Sequence, residues 1–387
     1  MKITFFSNYL NHHQIPFCNA LYQKFGDGFK FVATKAVPEG RIKLGYDDAN
    51  KKYPYVIETY VSSETEKLAQ KLAVESDVVI YGAAPEKYLK ARMKKNRITF
   101  RYSERIYRKK QTIKEKLRAR ASAFIHHSVY KRKKVYMLCT GAYVAKDFAL
   151  TKNYINKMFK WGYFPETKKY DIDKLLKKKE ENKKIKILWT ARFLQLKHPE
   201  MCFNLALALK QEGYDFEIEM IGGEMTDSLA EFIAANNLEE NLKILGTMPY
   251  AQVRNYMETA DIFLFTSDFG EGWGAVVNEA MNSGCAVVAS HAAGCVPFLI
   301  KDGENGFVYK FGDNREFYTK VKMLIDNKQL RQKIGKNAYK TIACCWNAEE
   351  AAKNFEVLYN SLLSGKNPDI KEGPGSRAEM IDDGLGQ

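Results

Sequence analysis

The 387-residue chain has no apolar run near the ~18 residues that a membrane-spanning helix requires. Its opening residues, Met1-Lys2-Ile3-Thr4-Phe5-Phe6-Ser7, hold too short an apolar stretch for a secretory signal and read as a strand. The seven cysteines are scattered and form no Cys-x-x-Cys, which argues against a zinc ribbon or a disulfide framework. No internal repeat is visible. Acids are scarce, at 46 Asp/Glu against 61 Lys/Arg, a net charge of +15. These absences point to a reduced, cytosolic protein. Its 45% apolar residues suffice for the cores of two to three domains. The positive surplus implies a polyanionic partner.

That surplus is local. Residues 87–134 contain nineteen Lys/Arg and only two acids, Glu104 and Glu115, and the rest of the chain is almost neutral. Ile106, Ile113, Leu117 and Phe124 recur there at near-helical spacing among cations. The stretch from Ile106 through Arg120 therefore reads as a basic amphipathic helix suited to an anionic membrane, with Arg108, Lys109, Lys110 and Lys114 as contacts. The alternative is a helix packed on the core with a solvated cationic face. No nucleic-acid-binding module is present, so nucleic acid is not an expected partner.

Short β-rich runs alternate with helical patterns along the chain. Strands are expected near 2–7, 29–34, 77–81, 98–102 and 135–139, then near 184–191, 215–221, 242–246, 261–266 and 285–290. Helices are expected between them, including 14–25, 65–75, 85–95 and 106–128. Continuous apolar strands alternating with helices imply parallel sheets covered on both faces, so the fold class is α/β with two doubly wound domains. The expected division is an N-terminal domain over 1–165, a Lys-rich linker over 166–183 and a C-terminal domain over 184–345. A helix over 346–365 and a disordered Gly/Pro/Asp-rich tail over 366–387 follow.

In open α/β sheets, ligands bind outside the carboxyl ends of the strands. In the second half those ends carry Arg192 to Lys197, Gly222-Gly223, Thr247-Met248 and Ser267 to Gly274. Cations, glycines and a carboxylate thus gather on one edge. Gly272 and Gly274 permit close backbone approach and open a helix whose free N–H groups suit an anion. Glu279 lies eight positions after Glu271, and carboxylates so placed suit sugar hydroxyls.

These residues resemble the signature of the retaining glycosyltransferases of family 4. Glu271-Gly272-Trp273-Gly274 with Asn278-Glu279-Ala280-Met281 matches its Glu-x7-Glu motif, and Arg192 with Lys197 matches its Arg-x4-Lys motif. Cys285 to Ser290 and Gly303 to Phe307 also fit. The resemblance is specific over about 184–310 and holds at fold level before that. It implies the GT-B fold, two Rossmann-like domains facing across a cleft, and a nucleotide-diphosphate sugar as co-substrate, with no tightly bound cofactor. Arg192 and Lys197 would hold the diphosphate, and Glu279 the ribose hydroxyls. Glu271 would hold hydroxyls of the transferred sugar together with the backbone after it, Gly272 to Gly274. Gly223, Met248 and Trp273 complete the expected donor set, with Glu271, Arg192 and Lys197 as its catalytic members. Front-face attack by the acceptor, with retention of configuration, is implied.

Asp171-Ile172-Asp173 has the pattern that metal-dependent glycosyltransferases use, but it lies in the Lys-rich boundary. Asp173 is read as a helix N-cap, and no metal is expected. The loop Asn8 to Gln14 lacks the glycine pair common in the family; His12 or His13 is placed on the acceptor side instead, with Glu104. The expected function is transfer from a UDP-sugar to a saccharide or lipid-linked acceptor at the cytosolic membrane face, in surface polysaccharide or glycolipid synthesis. The alternatives are another GT-B activity, a phosphorylase or sugar-nucleotide epimerase, or a non-catalytic protein that binds polyanions or membranes.

Overall fold

The structure is a computed structural model that describes residues 1–43 and 47–385. The chain divides into two compact units: Met1–Glu166 with Asn347–Gln387, and Thr167–Trp346. Among the described residues no helix is long and apolar enough to cross a membrane.

The first unit holds a parallel sheet of β1 (Ile3–Ser7), β2 (Phe29–Ala33), β3 (Val56–Glu58), β4 (Val78–Tyr81), β5 (Thr99–Ser103), β6 (Val135–Thr140) and β7 (Met158–Trp161). Their order is β3-β2-β1-β4-β5-β6-β7, so the strand order reverses between β1 and β4. Its helices are α1 (Ile15–Phe25), α2 (Glu39–Lys43), α3 (Ala49–Lys52), α4 (Ser63–Glu75), α5 (Glu86–Met93), α6 (Ile113–His126) and α7 (Val144–Leu150). The second unit repeats the plan with β8 (Ile185–Thr190), β9 (Phe216–Ile221), β10 (Leu242–Ile244), β11 (Ile262–Phe265), β12 (Ala286–Ser290) and β13 (Phe307–Tyr309) in the order β10-β9-β8-β11-β12-β13, all parallel. Its helices are α8 (Ile172–Lys179), α9 (Glu200–Gln211), α10 (Asp227–Ala235), α11 (Tyr250–Thr259), α12 (Ala275–Asn282), α13 (Val296–Leu299), α14 (Asn314–Asp326) and α15 (Lys328–Cys344). Interior strands such as β4, β11 and β12 are buried at every position, as a sheet covered on both faces requires.

The last helix, α16 (Ala348–Leu363), belongs to the first unit. Phe355 is fully buried among the rings of Phe17, Phe100 and Trp161, a contact that stabilises by roughly 1.5–3 kcal/mol. The segment after it, expected to be disordered, is docked. The Lys160 N–H donates to the Ser376 carbonyl and the Gly375 N–H to the Lys160 carbonyl, beside an antiparallel bridge between Phe159 and Arg377, so the tail covers the edge of β7. Further on, Asp383 pairs with Arg105 at 2.5 Å and with Lys146 at 2.8 Å. Buried counter-charges, invisible to a composition argument, hold this tail. Its last two residues lie outside the described ones.

The Lys-rich stretch expected as a linker is built into the second unit. Asp171 caps α8 by accepting from the Lys174 N–H at 3.2 Å. Asp173, which was expected to be the cap, instead pairs with Lys336 at 2.6 Å. Lys179 is buried and donates to the carbonyls of Met257, Ala260 and Ser283, satisfying the ends of α11 and α12. The basic segment likewise holds structural cations: buried Arg92 donates to the carbonyls of Ala73, Ser76, Asp77 and Ile98 and to the Thr99 hydroxyl.

The expected helix over 106–128 is shorter than its pattern. It starts at Ile113, behind a Thr112–Glu115 capping box. Residues 106–112 form a loop, because Asp147 accepts the N–H groups of Ile106 at 2.7 Å and Tyr107 at 3.0 Å. Arg108 and Lys109 therefore sit on that loop, paired with Glu104 at 2.7 Å and Glu115 at 3.2 Å. Lys110 is exposed on the same loop, and Lys114 is exposed on the helix.

Candidate functional site

In the second unit the strand order reverses between β8 and β11, which opens a crevice at their carboxyl ends. The loop after β8 carries Arg192 and Lys197, and the loop after β11 carries Ser267 to Gly274. The two are pinned together. The Thr266 hydroxyl donates to the Lys197 carbonyl at 2.5 Å, the Asp268 N–H donates to the Leu196 carbonyl at 3.0 Å, and Lys197 forms an ion pair with Glu271. Both members of that pair are largely buried. Arg192 is exposed on the loop after β8.

Gly274 ends the loop and caps α12 with φ at 95°, a left-handed conformation that favours glycine. A Cβ there would fall 2.5 Å from Cζ of the Phe265 ring. No side chain caps α12, so no capping residue takes the N–H groups of its first turn. Gly223 packs under Phe193, where a Cβ would come within 2.1 Å of the ring, so the loops after β8 and β9 lie against each other. The loop after β10 joins them through the Gly222 N–H, which donates to the Gly246 carbonyl at 2.8 Å. Met248 lies half-buried on that loop.

Glu279 sits in the second turn of α12 and is buried. Burial raises its pKa to about 7, against the pull of Arg254 and a hydrogen bond from Tyr250. Arg254, itself buried, donates to the Glu279 carbonyl at 2.8 Å and to Asn282 Oδ1 at 2.7 Å. Neither Tyr250 nor Arg254 is a motif residue; both reach Glu279 from α11 and could be found only by folding. Trp273, expected among the donor contacts, is buried. Its indole N–H donates to Asn278 at 2.9 Å and its ring packs on Trp346 and Phe298. It fixes the loop from behind.

In the first unit, three separate loops meet at the strand ends. Glu104 follows β5 and accepts from the Tyr163 hydroxyl at 2.5 Å. The Tyr163 ring lies 3.9 Å from that of His13, which follows β1, and the Phe164 N–H donates to the His13 carbonyl at 3.3 Å. His12 packs edge-on to His13. The three residues expected on the acceptor side are thus joined through Tyr163, which sequence reasoning missed. Its only signal was the aromatic run Trp161-Gly162-Tyr163-Phe164 beside an unrecognised strand. Among the described residues no three His, Cys, Asp or Glu side chains gather as a metal ion requires.

AmsK of Erwinia amylovora, an amylovoran biosynthesis glycosyltransferase, is 33% identical over 135 residues, 33% of this chain and 33% of its own length. CapM of Staphylococcus aureus, a capsular polysaccharide biosynthesis glycosyltransferase, is 24% identical over 152 residues, 39% of this chain and 40% of its own. The chain therefore spans well under two thirds of these curated relatives. The crystal structure of HepE from Anabaena in complex with UDP superposes with a TM-score of 0.67 at 17% identity, covering 94% of this chain and 100% of that one. The fold is GT-B, and residues 171–341, the segment that carries the crevice, match the family model described as glycosyl transferases group 1.

Proposed function

We propose that the protein transfers a sugar from a nucleotide-diphosphate sugar to a saccharide or lipid-linked acceptor, with retention of anomeric configuration. One observation carries this reading: the Arg192–Lys197 loop, the Glu271 loop and the α12 N-terminus converge where the second sheet reverses its strand order. Breaking a sugar–phosphate bond builds negative charge on the departing diphosphate. Arg192, Lys197 and the amides of α12 are cations and dipoles set in place for that charge, and preorganised donors of this kind act on the transition state. With this charge met by side chains and amides, the reaction needs no metal ion. Glu279, once ionised, accepts from the ribose hydroxyls. Glu271 turns from Lys197 to the hydroxyls of the transferred sugar, and the departing phosphate takes the acceptor's proton.

A uridine diphosphate sugar is favoured, since HepE was solved with UDP. Surface polysaccharide or glycolipid synthesis at the cytosolic membrane face is in keeping with the names of AmsK and CapM and with the basic segment of the first unit. The test is a panel of nucleotide sugars with nucleotide diphosphate release as the readout, run in a chelator. Release of UDP that survives chelation and is lost in Glu279→Ala supports the reading. Binding of no nucleotide sugar overturns it. Release that requires inorganic phosphate, or interconversion of the sugar without transfer, marks the phosphorylase or epimerase instead.

A further inference from the structure

Helix α6 packs by its smallest face. Glu115, Lys116 and Ala119 are half-buried and only Ala123 is buried, whereas Ile113, Leu117 and Phe124 are 81%, 60% and 67% exposed. At 100° per residue these three side chains fall within about 40° of one another, on the side away from the body of the unit. Exposed Lys114 and Arg118 flank the stripe on one side and exposed Arg120 on the other. Ile125 and Val129 are exposed too. The apolar residues of the pattern thus face away from the contacts that seat this helix.

The helix is also firmly rooted. Arg105, eight residues before it, is ion-paired to Asp383 at 2.5 Å with both side chains buried, and lies over the Tyr143 ring. Asp147 holds the next two amides, and the Thr112–Glu115 box closes the first turn. An apolar stripe kept outward by a fixed root, rimmed by cations, on a segment with nineteen Lys/Arg and two acids, suits one kind of surface: apolar beneath and anionic above.

We propose that α6 is an insertion helix: Ile113, Leu117 and Phe124 enter the acyl boundary of an anionic bilayer while Lys114, Arg118 and Arg120 bind its phosphates. The inference rests on the membrane-facing part of the proposed function and names its surface. Glu104, on the loop that leads into α6, would then stand close to the lipid headgroups, where an anchored acceptor is presented.

The test is sedimentation with phosphatidylcholine vesicles, with and without phosphatidylglycerol. The wild type should bind the anionic vesicles and weaken with salt. The triple variant Lys114→Gln, Arg118→Gln, Arg120→Gln should lose about fivefold in affinity for each cation at low salt. The triple variant Ile113→Asn, Leu117→Asn, Phe124→Asn should lose about tenfold or more, and what remains should vanish with salt. Depth is read separately with Phe124→Trp and brominated lipid, because the native Trp161, Trp189, Trp273 and Trp346 are buried beyond a quencher's reach. Unchanged circular dichroism and nucleotide binding control for folding. Vesicle binding by the Asn variant equal to wild type, an unquenched Phe124→Trp, or a dimer that the Asn variant dissociates would each overturn the proposal. A protein that binds vesicles through α6 but no nucleotide sugar keeps this inference and loses the transferase reading; the converse result separates them the other way.

Discussion

The two units present the same sheet edge built in two ways. In the second, the groups at the strand ends come from two adjacent loops and one helix, pinned at backbone atoms: the Thr266 hydroxyl on the Lys197 carbonyl, the Asp268 N–H on the Leu196 carbonyl, and the Gly274 backbone against the Phe265 ring. In the first, Glu104, His13 and Tyr163 come from loops after three different strands and meet chiefly through side chains, one hydroxyl and one ring contact, with a single backbone bond from Phe164 to His13. A backbone-locked site suits a constant chemical task, such as holding a diphosphate. A site built from side chains tolerates change, and suits the partner that varies. The largest effect expected of this difference is at Lys197. Lys197→Ala should slow nucleotide diphosphate release by about 10²–10³-fold for every acceptor tried, as removal of a preorganised donor to a developing anion does. His13→Ala should leave donor hydrolysis without acceptor unchanged. Equal losses in the two variants would erase the distinction between the edges.

The same contrast explains what could be read beforehand. Interior strands such as β4, β11 and β12 were legible because both faces are buried, and they appear as apolar runs. Three of the four edge strands were not. β3 is Val-Ile-Glu, β13 is Phe-Val-Tyr, and β7 is Met-Phe-Lys-Trp, with Glu58 and Lys160 interrupting two of the three apolar runs. Losing β7 cost the recognition of Tyr163, which follows it. The residues proposed for the donor stood out because Arg192 with Lys197, and Glu271 with Glu279, match motifs of the family that the sequence resembles. Arg254 and Tyr250 did not, since they reach Glu279 from another helix. The docked tail was hidden for the same reason: Arg105 and Asp383 are 278 residues apart in sequence.

A smaller effect sharpens the comparison through pH. Burial lifts Glu279 from its ordinary 4.5 to about 7. An acid whose folded pKa is raised holds its proton more tightly in the fold. Its contribution to stability is thus fully present below about pH 4.5 and is lost as pH rises to about 7. Affinity for the nucleotide runs the other way, because only the carboxylate offers acceptors to both ribose hydroxyls. Calorimetric titration should show binding tighten as pH rises toward 7, by up to about tenfold per unit, and level off above it. Glu279→Gln should flatten that profile while making the fold less sensitive to pH in the same range. A wild-type profile without inflection between pH 5 and 8 would show that Glu279 does not meet the ligand.

The smallest effect belongs to the first unit. Tyr163→Phe keeps the ring on His13 and removes only the hydroxyl that donates to Glu104. One hydrogen bond to a charged group is worth about 1.5–3 kcal/mol, and water can replace part of it at a half-exposed site. The expected result is a rise of a few-fold in KM for the acceptor, with KM for the nucleotide sugar unchanged. Because Arg108 still holds Glu104 at 2.7 Å, the carboxylate keeps its place and the fold should not suffer. The split between the two KM values is the decisive quantity. A loss confined to the acceptor assigns Tyr163 and Glu104 to the variable partner, whereas equal rises in both would make the first unit's edge a support for the donor chemistry.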